Sequence, residues 1–174
     1  MNRVKIKAFI DTLLERHQLV KFPVDLEAWI KIAGAELRRQ DFDGEMSGFA
    51  YQKKGIKIIG IQFDEPETRQ RFTTAHELAH MFLHKDKAVN YDKSSMMLRT
   101  SDHVGRGTDQ REIEANDFAA ELLMPEECIR KDVNRLDGVD LHEDDDKIAK
   151  LADKYNVSIP AMTIRLSTLY FRQH

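Results

Sequence analysis

The chain has 174 residues, 41% of them apolar and 33% charged, which suits one compact domain with a core of its own and excludes disorder. Lys and Arg number 27 against 30 Asp and Glu, a formal charge of −3, so no bulk attraction to nucleic acid or to an anionic membrane follows. A single cysteine, Cys128, excludes an internal disulfide framework and any Cys-rich zinc site. No apolar run approaches the roughly 20 residues of a membrane span, and the basic N-terminus lacks a signal-peptide core. The expected compartment is the cytoplasm.

Val4, Ala8, Ile10, Leu13 and Leu14 recur at helical spacing, predicting a helix over 3–19. A second helix can begin near Pro23, with Gly34 as its stop. Three strand-like segments follow, 35–42, 46–51 and 56–63, punctuated by Gly44, Gly48 and Gly55, which suggests a small antiparallel sheet. A helix over 66–84 carries an apolar stripe of Phe72, Ala75, Ala79 and Phe82. Residues 85–108 show no periodicity and read as a loop of unusual length, a common place for function. Helices are then expected over 110–123, 126–135, 144–155 and 158–172, with a polar turn at 136–143.

The helix over 66–84 contains His76-Glu77-Leu78-Ala79-His80. Two histidines four apart share a helix face, with their β-carbons about 5–6 Å apart, and both can reach one zinc ion. Glu77 flanks that face, where it can act as a base on a water without being a ligand. His84 continues the series, but it stands about 12 Å along the axis from His76. It reads as a helix-end residue favoured by the dipole. A catalytic zinc needs a third protein ligand and an open position. The next helix offers Glu112 and Glu114. With Asp109 as N-cap, Glu112 completes a capping box, which leaves Glu114 for the metal, although the helical wheel does not separate the two. Two histidines and a carboxylate also occur in non-haem iron enzymes; Glu77 tips the choice toward hydrolysis.

These residues resemble the ImmA/IrrE family of metallopeptidases, whose metal site is similar to that of thermolysin-like enzymes. The likeness rests on Arg71-Phe72-Thr73-Thr74-Ala75 leading into the His76–His80 motif, on His84, on the run from Glu112 to Pro125, and on Val157-Ser158 with Arg165-Leu166. It implies His76, His80 and Glu114 as metal ligands and Glu77 as general base. It also implies endoproteolysis of a helix-turn-helix transcriptional repressor, which derepresses mobile-element or stress-response genes.

The expected fold is α+β, zincin-like, with the small antiparallel sheet beside two metal-bearing helices, N-terminal helices before them and a C-terminal helical hairpin. Residues 1–143 would form the peptidase core and 144–174 the hairpin packed on it. The expected cofactor is Zn(2+), with Mn(2+) as the alternative, and the expected partner is a protein substrate. Asn116 and Asp117 are candidates for orienting a metal-bound histidine. Tyr91, Arg99 and His103, in the long loop, are candidates for stabilising the transition state. An exposed sheet edge at Met46 to Tyr51 could take substrate as an added strand. Two other readings compete. One is a metal-containing binding module without catalysis. The other is a DNA-binding regulator using residues 147–171 as a helix-turn-helix, although Arg165 and Arg172 are the only basic residues on its second helix.

Overall fold

The computed structural model describes residues 1–17, 19, 21–42, 46–84, 89–91 and 110–170, with only the backbone described at 89–91. Among them are seven helices: α1 (Arg3–His17), α2 (Leu26–Ala33), α3 (Glu67–Leu83), α4 (Gln110–Leu123), α5 (Glu126–Arg135), α6 (Asp145–Tyr155) and α7 (Ile159–Tyr170). Four strands, β1 (Glu36–Gln40), β2 (Gly48–Lys53), β3 (Ile56–Gln62) and β4 (Val89–Tyr91), form one sheet in the order β1-β3-β2-β4. The class is α+β. No helix among the described residues is long and apolar enough to cross a membrane.

The sheet is mixed rather than purely antiparallel. β2 and β3 form a hairpin over Lys54 and Gly55, with Ala50 opposite Ile59. β1 lies parallel to β3, with Leu37 opposite Ile59. The sequence reading missed this because β1 and β2 are not joined by a hairpin: β2 is inserted on the far side of β3. The fourth strand falls inside the segment expected to be a loop, and Asn90 pairs antiparallel with Ala50. β2 is therefore an interior strand from Phe49 to Tyr51, and that part of the expected Met46 to Tyr51 edge is already paired. Among the described residues the outer strands of the sheet are β1 and β4.

Local chemistry sets the helix limits. The Asp25 carboxylate caps α2 by accepting from the Glu27 and Ala28 amides at 3.0 and 3.2 Å. Gly34, at φ 67°, ends that helix in the left-handed conformation that costs glycine least. In α1 the buried stripe is Ile6, Ile10, Leu13 and Leu14, while Val4 faces solvent.

The core is centred on α3. Every residue from Thr73 to Met81 is buried, so over this stretch burial extends beyond the expected stripe to all sides of the helix. An aromatic cluster fixes it against three other helices. Phe82 meets Phe9 of α1 at 5.7 Å between ring centroids, Trp29 of α2 at 6.1 Å and Phe118 of α4 at 6.0 Å. The Phe9 and Trp29 contacts are edge-on, the geometry favoured by the ring quadrupoles.

On its opposite side α3 packs against β2. A β-carbon added at Gly48 would stand 2.5 Å from Thr73 Cγ2, 2.9 Å from the Gly60 carbonyl oxygen and 3.6 Å from Glu77 Cγ. The missing side chain is what lets the strand approach the helix at Glu77.

The C-terminal pair α6–α7 is tied to α4 by a buried ion pair. Arg165 donates to Glu121 and, at 2.9 Å, to the Met124 carbonyl. Glu121 also accepts from the Glu126 amide at 3.1 Å, capping the start of α5. Arg165 is thus committed to the interior and is no phosphate contact; Arg172 lies outside the described residues. Arg71 makes a similar tie. It donates to the Val24 carbonyl at 2.9 Å and to the Asn156 carbonyl at 3.2 Å, where α6 ends in a left-handed turn.

Two consequences are measurable by chemical denaturation. Gly48→Val should cost about 1–3 kcal/mol, because the closest obstacles include rigid backbone; an unchanged midpoint would mean that the strand does not pack as described. Arg165→Met should cost about 3–5 kcal/mol by leaving Glu121 buried without its partner. The double replacement Glu121→Leu with Arg165→Met should restore part of that loss.

Candidate metal centre

The four-residue repeat brings His76 and His80 onto one face of α3, with ring centroids 4.9 Å apart and their Nε2 atoms 3.1 Å apart. Glu112, on the first turn of α4, turns toward them. Its Oε2 is 3.2 Å from His76 Nε2 and its Oε1 is 3.5 Å from His80 Nε2. One ligand atom from each of the three residues lies within 4.8 Å of the others. Both histidines are only 2% exposed, while the Glu112 side chain is 23% exposed. The group is therefore walled in by the protein and still reached by solvent from the α4 side.

The outer nitrogens decide what the inner ones can do. His76 Nδ1 faces Asn116 Oδ1 at 3.0 Å. An amide oxygen only accepts, so Nδ1 carries the proton and Nε2 presents its lone pair. For Glu112, burial by itself would push the carboxyl up. With no cation between them, His76 and His80 protonated at Nε2 would donate to it and hold it well below the usual carboxylate range; a metal ion would take the place of those protons. An anionic oxygen and imidazole lone pairs converging on one point call for a cation. A donor set of two nitrogens and one oxygen suits a zinc ion that keeps a fourth position open.

Sequence alone points to Glu114 as the third ligand, with Glu112 as a capping residue. The structure brings Glu112 to the two histidines and turns Glu114 to His84. Glu114 Oε2 is 3.0 Å from His84 Nε2, and Oε1 meets Gln110 Nε2 at 3.3 Å and the Met1 amine. Positions two apart on a helix point about 200° apart at 3.6 residues per turn, so the two carboxylates cannot share a target. Glu112 and Asn116, four apart, do share one, and both meet His76. Asp109, the expected N-cap, lies outside the described residues.

His84 does stand at the helix end, as the C-cap of α3, but it is also part of the buried cluster. It is 5% exposed, and its Nδ1 is 3.1 Å from His80 Nδ1. Burial, then the neighbouring His80, Arg111 and the N-terminal amine, lower its pKa to about 4. It is neutral at ordinary pH. The signal for Glu112 and His84 was present in the sequence as the i, i+4 pairs Glu112–Asn116 and His80–His84.

Glu77 directly follows His76 and is fully buried. Its side chain lies over Gly48 of β2, so the strand and the histidine face bracket it. Asp117, weighed together with Asn116 as an orienting residue, is instead paired with Arg3 at 2.6 Å. Tyr91 stands on β4 opposite Phe49. Arg99 and His103 lie outside the described residues.

Residues 30–167 match the family of IrrE N-terminal-like domains, a peptidase family. The matched span runs from α2 into α7 and contains the whole His76–His80–Glu112 group. The chain is also 28% identical, over 121 residues, to a protein of Bacillus phage phi105 named uncharacterized immunity region protein 2. That alignment covers 70% of this chain and 69% of the phage protein. A family match over most of the chain, centred on a helix pair with a metal-ligand donor set, leads to one conclusion: the chain belongs to the IrrE N-terminal-like domain family of metallopeptidases.

Proposed function

We propose that this chain is a zinc-dependent endopeptidase, with His76, His80 and Glu112 as metal ligands and Glu77 as general base, that cleaves a helix-turn-helix transcriptional repressor. The observation that carries the reading is the convergence within 4.8 Å of two imidazoles from the buried stretch of α3 and one carboxylate from α4. Natural sequences keep polar groups at such positions mainly where function needs them.

His76, His80 and Glu112 would hold the zinc ion, which would supply Lewis acidity and a water made nucleophilic near neutral pH. The protein's own groups do the rest. His76 and His80 present their Nε2 lone pairs inward, and Asn116 holds His76 in that tautomer. The Glu77 carboxylate takes the proton of the attacking water as its oxygen bonds to the carbonyl carbon. Glu77 then delivers that proton to the amine nitrogen as the peptide C–N bond breaks.

Two features support a repressor as substrate: the ImmA/IrrE motifs and the similarity to a phage protein named for an immunity region. Cleavage of such a regulator would derepress the genes that it holds silent.

Elemental analysis of the purified protein should find about one zinc per chain, and Glu112→Ala should lose most of it. Absence of metal after equilibration with zinc, or with manganese, would remove the enzymatic reading. The zinc-loaded protein, mixed with a helix-turn-helix repressor encoded near its gene in its source genome, should give two fragments by mass spectrometry. Glu77→Gln should keep its zinc and lose cleavage by about 10²–10⁴-fold or more. Undiminished cleavage by that variant would disprove the base assignment.

A further inference from the structure

We infer that Glu114 and His84 form a positioning relay behind His80, fixing its tautomer and ring orientation so that Nε2 faces the metal. The inference rests on the proposed ligand set and adds two residues that contribute no ligand atom to it.

Three contacts in series carry the argument. Glu114 Oε2 lies 3.0 Å from His84 Nε2, His84 Nδ1 lies 3.1 Å from His80 Nδ1, and His80 Nε2 lies 3.1 Å from His76 Nε2 in the centre of the group. With His84 a neutral imidazole and Glu114 a carboxylate, each link allows one proton arrangement once the next is set. A carboxylate accepts, so His84 Nε2 carries a hydrogen and donates to Glu114. A neutral imidazole with its hydrogen on Nε2 has its lone pair on Nδ1, so His84 Nδ1 accepts from His80 Nδ1. With Nδ1–H committed outward, His80 Nε2 keeps its lone pair for the metal. Reversing the His80–His84 bond would move the hydrogen of His80 to Nε2 and block ligation.

Burial gives the relay its strength. His80 is 2% exposed, His84 5% and Glu114 7%, so water does not compete for these bonds. His84 caps α3 one turn beyond His80, with the two rings 5.2 Å apart, and this spacing lets one imidazole bridge the other to a carboxylate on α4. His76 has a simpler support, the single amide of Asn116. The two ligand histidines are therefore held by different devices, and the longer one spans the helix pair.

The test measures zinc affinity by competition with a chromogenic chelator, with no substrate present. His84→Phe keeps a ring in the space and removes the acceptor; it should weaken zinc binding about 10–100-fold. His84→Gln returns an acceptor oxygen and should recover most of that loss. Glu114→Gln still accepts from His84 and should bind close to wild type, whereas Glu114→Leu should resemble His84→Phe. Thermal melts of the metal-free variants separate loss of fold from loss of positioning. Wild-type affinity in a folded His84→Phe overturns the relay. Equal and severe loss in Glu114→Gln and Glu114→Leu, with His84→Phe unaffected, overturns it in favour of Glu114 as a direct ligand. Glu112→Ala, run in parallel, tests the ligand set itself: native affinity in that variant removes the metal reading whatever His84 does.

Discussion

The structure depends on α3 being enclosed by its neighbours while keeping histidines and a glutamate inside. A helix buried on every side normally carries apolar residues all round. Here Thr73, Thr74, His76, Glu77 and His80 are buried along with Ala75, Leu78 and Ala79. Buried polar groups are costly unless they are bonded, so the surroundings of α3 must supply partners at set places. The aromatic contacts of Phe82 with Phe9, Trp29 and Phe118 hold the enclosing helices in position, and the Gly48 backbone closes the side facing the sheet.

With α3 and α4 held together, the acidic and amide side chains of α4 sort themselves by helical phase. Glu112 and Asn116 reach His76, and Glu114 reaches His84. A single helix–helix contact therefore places a candidate ligand, a support for one histidine and a support for the other. The arrangement is sensitive to rotation of α4 about its axis, because one residue of slippage changes direction by about 100°. The buried Arg165–Glu121 pair, with its bonds to the Met124 carbonyl and the Glu126 amide, resists that rotation by tying the far end of α4 to α5 and α7.

Several residues in the recognised motifs are thus structural. Arg71, just before the histidine helix turn, ties α3 to the carbonyls of Val24 and Asn156. Glu121 and Arg165, nearly 45 positions apart in the chain, meet in the interior. Their chemistry resembles that of a charged site, and their surroundings make them a clamp. The same contact removes Arg165 from any surface that could meet nucleic acid.

The sequence by itself determined the helices and most of the strands, because helical period, strand alternation and capping are local. The breaks at Gly34, Pro66 and Pro125 could all be read that way. It also determined the His76–His80 pair and the place of Glu77, since spacing of four on a helix is a local fact. The parallel pairing of β1 with β3 and the presence of β4 were not legible, because a strand's partner is chosen by packing across the chain. Nor was the choice between Glu112 and Glu114. Both flank the apolar sector of their helix, and only the rotation of α4 against α3 decides which carboxylate meets which imidazole. Tertiary structure alone made that decision, because a helical sequence sets the angle between two side chains and leaves open where either one points.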